Sequence, residues 1–301
     1  MVNFMPGQLK KQLRKVLEEQ KSIFMSKTPK CKPIKTFYTY LNIADPFVAW
    51  ETYRGILISP DCYQIEEHPS ISFWMLRYLR NMLSPQAINE LKLEVIRQKY
   101  YAHEVSRFRG FYYFENKTTA INAAKMWQLK YFNNFCLTDV GIDSKAIYSK
   151  LDSNWITLYA GKESDNDNWI HSYWRGEPCP GFDEPLWELL VIARGIIYNN
   201  ELRMQAYENI KNSNPTTILP LLEEARIAAY LGSDLGHCSP YIIKKSETKY
   251  QVVDIMDMKD AENPIYLHKK NDYLSNPINH ENINFNDLLL INDYNKFSKL
   301  N

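Results

Sequence analysis

Glycine is scarce in this chain, 10 in 301 residues. Neither a P-loop nor a GxGxxG stretch occurs, so the usual backbone cradle for a phosphate chain is excluded. The five cysteines, Cys31, Cys62, Cys136, Cys179 and Cys238, are odd in number, scattered and free of any CxxC pair. That excludes a structural zinc site of the common spacing and a disulfide framework, and it suits a reduced, cytoplasmic chain. Six histidines are dispersed with no HExxH or HxH spacing, so no metal site is expected. No apolar run approaches the ~20 residues that span a bilayer. No apolar core follows the N-terminal charges, so neither a membrane segment nor a secretion signal is expected. With a net charge of +1, nothing pulls the whole surface toward nucleic acid, and only a local basic patch could do so.

Apolar residues make up 45% of the chain, enough for a substantial core. Aromatic residues reach 14%, with 21 Tyr and 7 Trp, and such side chains both fill cores and stack on bases and nucleotides. Residues 7–29 read as a basic amphipathic helix, with Leu9, Leu13, Val16, Leu17, Ile23 and Phe24 on one face and Lys10, Lys11, Arg14 and Lys15 among the charges. It could pack on its own domain or meet a partner or nucleic acid. A Pro-containing linker over Lys30–Lys35 follows.

Strands are expected at 36–41, 56–58, 109–114, 147–148 and 155–159. Helices are expected at 46–54, opened by Asp45-Pro46 and stopped by Gly55, and at 72–82, 84–103, 118–127, 200 onward for about four turns, and 217–232. A hairpin is expected over 241–255, then a polar, Asn-rich tail. Short strands and helices without a βαβ rhythm argue for an α+β fold.

One apolar segment stands out: Pro185-Leu186-Trp187-Glu188-Leu189-Leu190-Val191-Ile192, read as a buried strand running on toward Ile196-Ile197-Tyr198. Glu188 interrupts it near its start, and an ionised carboxylate there is costly unless it meets a cleft or a partner. It is a candidate catalytic acid or ribose-binding group; the alternative is a strand-end Glu that reaches solvent. The upstream Trp169–Trp174 segment could clamp the core or cover a substrate.

Three blocks stand in order: Phe37-Tyr38-Thr39-Tyr40 with Tyr53-Arg54-Gly55-Ile56-Leu57 after a helix; Val105-Ser106-Arg107-Phe108-Arg109-Gly110-Phe111-Tyr112-Tyr113-Phe114; and the Glu188 strand. This order resembles the ADP-ribosyltransferase superfamily, most nearly its bacterial and phage toxin-type members, over about residues 36–200. The resemblance implies a split mixed sheet with flanking helices over 36–200, preceded by the 1–35 helix and linker and followed by a helical and hairpin extension over 201–301. It implies a transferase of ADP-ribose from NAD to a macromolecule in a toxin or defence role, with an antitoxin or inhibitor protein as a partner. Glu188 takes the catalytic position. Tyr38, Thr39 and Tyr40 fall where many members carry His or Arg, so a hydroxyl would stand in for the imidazole. Ser106 and Arg107 match the Ser-Arg pair.

In that chemistry a carboxylate beside the ribose stabilises an oxocarbenium-like cation, which fits Glu188. Cations would hold the pyrophosphate, which fits Arg107, with Arg109 and Arg54 as further candidates. Flat apolar partners for the rings fit Tyr112, Tyr113 or Tyr38; as neighbours on a strand, Tyr112 and Tyr113 are expected on opposite faces, with only one at the site. Leu186 stands where arginine-modifying members have a second Glu, which points toward nucleic acid as the acceptor. Two other readings compete: a non-catalytic nucleic-acid or protein binding module on the same fold, and a glycosidase-like hydrolase pairing Glu188 with Glu177 or Glu184.

Overall fold

Local chemistry sets several element ends. Asp45 Oδ1 accepts from the backbone N–H of Phe47 (2.9 Å) and Val48 (3.3 Å) and starts helix α1, Pro46–Arg54. Pro46 sits where no N–H is needed. Gly55 ends the helix at φ +94°, a left-handed conformation that side chains resist. Ser84 and Asn116 cap α3 (Pro85–Tyr100) and α4 (Lys117–Trp127) in the same way.

The computed structural model describes residues 35–63, 70–79, 84–142, 146–163, 166–213, 217–247 and 249–275. The expected N-terminal helix and most of its linker, and all but the first four of the thirty residues of the expected polar tail, lie outside them. The other elements are β1 (Lys35–Tyr40), β2 (Ile56–Ile58), α2 (Leu76–Leu79), β3 (Phe111–Tyr113), β4 (Leu137–Ile142), β5 (Ile147–Asp152), α5 (Asn168–Trp174), β6 (Trp187–Ile192), β7 (Arg194–Ile197), α6 (Asn200–Ser213), α7 (Leu219–Tyr230), β8 (Cys238–Ser246), β9 (Lys249–Met256) and α8 (Pro264–Ser275). The strands form antiparallel sheets in the orders β1-β4-β7-β2, β3-β6-β5 and β8-β9, so the fold is α+β. Among the described residues no helix is long and apolar enough to cross a membrane.

The first two sheets are joined in two places. Backbone bonds link Tyr38 to Phe114 in both directions, so β1 meets the end of β3. The chain also passes from β6 directly into β7. The apolar run 187–198, expected as one strand, breaks at Ala193. There Ser59 replaces a ladder partner: its N–H donates to Ala193 O (3.1 Å) and its Oγ accepts from Ala193 N (3.0 Å).

Other expectations change as well. Residues 155–159 form a π-type helical turn at Ile156–Ala160 rather than a strand. Trp155 and Tyr159 stack on one face of it (5.8 Å), and Thr157 bonds back to Ser153 O, so local bonds replace the ladder that aromatic and β-branched content suggested. Of the helix expected at 72–82, only Leu76–Leu79 is described as helical. Strand β4 and helices α5 and α8 were not anticipated.

The expected boundary at 200/201 falls inside one compact unit that begins at Ile34. Leu202, Ala206, Leu222 and Ala225 share a buried cluster with Val48, Trp50 and Tyr53 of α1. Trp50 Nε1 donates to Gly236 O (2.8 Å), so residues 202–236 share one core with α1.

Candidate active site

Glu188 is the second residue of β6 and is 4% exposed. Its entry is set two residues upstream. Asp152, at the end of β5, accepts from Leu186 N (2.9 Å) and Asn154 N (3.0 Å) through Oδ1 and from Cys179 N (2.8 Å) through Oδ2. Ser153 Oγ donates to Leu186 O (2.8 Å). A fully buried carboxylate that accepts from three backbone N–H groups is a rigid anchor for the start of β6.

Opposite Glu188 lies Arg107, also buried. Its Nη1 donates to Glu188 Oε1 (2.6 Å) and to Tyr173 OH (2.7 Å), while Nε and Nη2 reach Glu90 Oε2 and Oε1 at 2.8 and 3.0 Å. Tyr173 OH donates to the same Glu188 oxygen (2.8 Å). The rings of Tyr112 and Tyr173 lie 5.1 and 5.5 Å from the guanidinium carbon. One cation is thus shared by two buried carboxylates. Burial pushes the Glu188 carboxyl above its usual range, and nearby Glu90 adds to this, while Arg107 and Tyr173 oppose it. Both hydrogen bonds fall on Oε1; Oε2 accepts none among the described residues.

Glu188 and Arg107 line a cavity of about 360 Å³. Its walls are aromatic: Tyr40, Trp74, Tyr78, Phe114, Trp127, Tyr131 and Phe132, with Gln86, Ser153 and Thr157 as polar points. Arg107 is the sole Lys or Arg among the described lining residues.

The residues expected at the site divide accordingly. Thr39, Tyr40, Arg107, Tyr112, Tyr113 and Glu188 all border the cavity. The Thr39 and Tyr40 hydroxyls are committed to backbone carbonyls, of Tyr112 (2.8 Å) and Ala120 (3.2 Å). Tyr38 packs instead against the apolar cluster of Tyr40, Phe114 and Leu186. Tyr112 and Tyr113 both border the cavity, contrary to expectation: three consecutive residues, 112–114, meet it, so it follows the strand's edge rather than one face.

Four of the five Arg107 N–H groups go to Glu90, Glu188 and Tyr173, so its charge is already shared by two carboxylates rather than held open for a pyrophosphate. Ser106 does not border the cavity; its Oγ donates to Glu94 (2.8 Å) and accepts from Phe108 N (3.2 Å), holding the turn that carries Arg107. Arg109 pairs with Asp61. Arg54 is wholly buried elsewhere, bonded to Glu51 (3.2 Å) and to Ile56 O (3.3 Å), in a network that continues through His237 to Ser239. Glu177 is an exposed partner of Arg175, and neither it nor Glu184 borders the cavity. The Trp169–Trp174 segment is helix α5, and its Trp169, Ile170, Tyr173 and Trp174 are core residues.

Glu90, Tyr173 and Asp152 escaped the sequence reading. Glu90 sits on an amphipathic helix that reads as an ordinary charged element, and Tyr173 hides between Trp169 and Trp174. The polar Asp152-Ser153-Asn154 cluster after a strand was the one visible signal.

Nothing matches this chain: no protein-family model, no curated protein and no solved structure.

The turn ahead of β3 offers a direct test of the site's geometry. Arg109 N and Gly110 N both donate to Ser106 O, at 3.2 and 2.7 Å. A Cβ at Gly110 would lie 2.6 Å from Val105 Cγ1 and 3.0 Å from Ser106 O. Gly110→Ala is expected to cost about 1–3 kcal/mol in urea unfolding through overpacking. The turn that must shift carries Arg107, so the pairing of Arg107 with Glu90 and Glu188 should loosen as well.

Proposed function

We propose that the chain is an NAD-consuming ADP-ribosyltransferase, with Glu188 as its catalytic carboxylate. The observation that carries this reading is a buried carboxylate, Glu188, that lines an aromatic-walled cavity with Oε1 held by Arg107 and Tyr173 and no hydrogen bond to Oε2 among the described residues. The order of the elements supports it too. The three strands that carry the sequence resemblance are neighbours here, β1 bridging to Phe114 and β3 pairing with β6 at Tyr113–Leu189 and Phe111–Val191.

The chemistry follows from the charges. The bond between ribose C1′ and the nicotinamide nitrogen breaks, and its electron pair leaves with the nicotinamide, which departs neutral. Positive charge then develops on C1′ and the ring oxygen. Glu188 Oε2 faces that charge and accepts a hydrogen bond from a ribose hydroxyl, both favoured in a site with little water. An acceptor nucleophile bonds to C1′ and releases its proton. The aromatic walls suit the flat nicotinamide ring. Arg107 acts by orienting Glu188 rather than by binding phosphate.

The purified chain should release nicotinamide from NAD, measured by chromatography, with label from adenine-labelled NAD appearing in ADP-ribose or on an acceptor. Sugar hydrolysis without NAD, or no nicotinamide release in the presence of cell extract, would overturn the reading.

A further inference from the structure

Beside the main cavity lies a second one of about 110 Å³, bordered by Asn42, Asp45, Phe47, Phe73, Trp74 and Tyr131. Trp74 and Tyr131 belong to both walls. Phe73 stacks on Trp74 with ring centres 3.9 Å apart, making a flat aromatic surface. Asp45 commits Oδ1 to the start of α1, while its Oδ2 and the Asn42 side-chain amide make no hydrogen bond among the described residues. A flat slot with an uncommitted acceptor and an amide at its edge suits a heteroaromatic ring that carries N–H donors, as a nucleobase does.

Helix α4 and the loop after it form a rim that meets the main cavity from Met126 to Phe132, and they have matching chemistry. Between Asn116 and Cys136 the chain carries Lys117, Lys125 and Lys130 and no Asp or Glu. All three lysines are exposed, and none has a carboxylate partner among the described residues. By contrast Lys92, Lys150, Lys211, Lys244 and Lys270 each lie against a carboxylate. Trp127, Tyr131, Phe132 and Phe135 interleave with the rim lysines, and Phe135 is 73% exposed. This rim is rooted in the fold: Phe132 stacks on Tyr40 of β1 at 4.3 Å, and Trp127 Nε1 donates to Thr157 Oγ1 (2.9 Å).

We propose that the α4 rim and the side cavity bind single-stranded nucleic acid, with backbone phosphates on Lys117, Lys125 and Lys130 and one base in the slot beside Trp74 and Tyr131. Unpaired lysines alone would attract any polyanion. The interleaved aromatics and the flat slot select one whose rings are unstacked and free to insert. A duplex keeps its bases stacked and does not fit. The wall shared by the two cavities sets the base next to the site of bond cleavage, which makes the strand the ADP-ribose acceptor. That last role rests on the reading proposed above; the binding does not.

The test uses fluorescence anisotropy of the full chain with fluorescein-labelled 12-nucleotide single strands, DNA and RNA in separate arms, without NAD. Affinity should fall with salt with a log–log slope of about −2, as three phosphate contacts on a single strand require. The pair Lys125→Glu with Lys130→Glu should weaken binding at least ~10-fold and flatten that slope to about −0.7. Phe135→Ala should weaken binding several-fold with the slope unchanged, because stacking carries no counterions. None of these three residues borders the main cavity, so nicotinamide release from NAD should stay at the wild-type level. Binding that follows these variants in a chain releasing no nicotinamide keeps the surface and removes the NAD reading. No oligonucleotide binding, wild-type binding by the double variant, or equal affinity for polyglutamate of the same length would overturn the proposal.

Discussion

Glu188→Gln should abolish nicotinamide release, by about 10²–10³-fold or more, while leaving the protein as stable as the wild type or more so. The loss follows from charge: Gln keeps the shape and can still accept from Arg107 and Tyr173, but it cannot neutralise a cation on the ribose. The stability follows from the pH linkage. Burial raises the folded-state pKa of Glu188 above its unfolded value, so the native state binds more protons than the unfolded one between the two. Wild-type stability therefore falls as pH rises out of the ordinary carboxylate range, about 4.3 for Glu, toward the folded pKa. Glu188→Gln escapes that fall. The two proteins should unfold at similar urea concentrations near pH 4, with the variant equal or ahead at pH 7. A variant clearly less stable at pH 7 would mean that the carboxylate holds the fold together rather than serving the site.

Arg107→Ala should behave oppositely. Removing the guanidinium leaves Glu90 and Glu188 buried without their cation, and uncompensated buried charges of this kind cost about 3–5 kcal/mol. Urea unfolding should register that loss at neutral pH. Part of it should return as the pH is lowered, since protonating Glu188 removes one of the two charges. Arg107→Lys should fall between, because an ammonium supplies charge without the fork that bridges Glu90 and Glu188 at once. Substituting Arg107 thus tests architecture and site together, whereas Glu188→Gln separates them. An Arg107→Ala protein of full stability would show that the shared cation does not organise the site.

The contrast between the two residues marks what could be read from the chain alone. Glu188 was legible because one carboxylate interrupted a run of Leu, Val, Ile and Trp, and burying a charge demands a reason wherever it occurs. Helix α1 was legible to the residue because Asp45, Pro46 and Gly55 each act on their immediate backbone. The hairpin β8-β9 and the α+β class followed from local periodicity in the same way. The role of Arg107 was not legible. Its sequence position before β3 suggested an open cation, and the fold surrounds it with Glu90 from α3, Tyr173 from α5 and Glu188 from β6. The break at Ala193 was equally hidden, because the group that ends the ladder there is a serine 134 residues away in the chain. Arg54, a further candidate in the sequence, is enclosed by Glu51 and the turn at Ser233. Caps, periods and the oddity of a buried charge are properties of neighbouring residues, so the sequence by itself determined them. Partners are properties of closure in space, and which donor meets which acceptor was decided only when distant segments packed together.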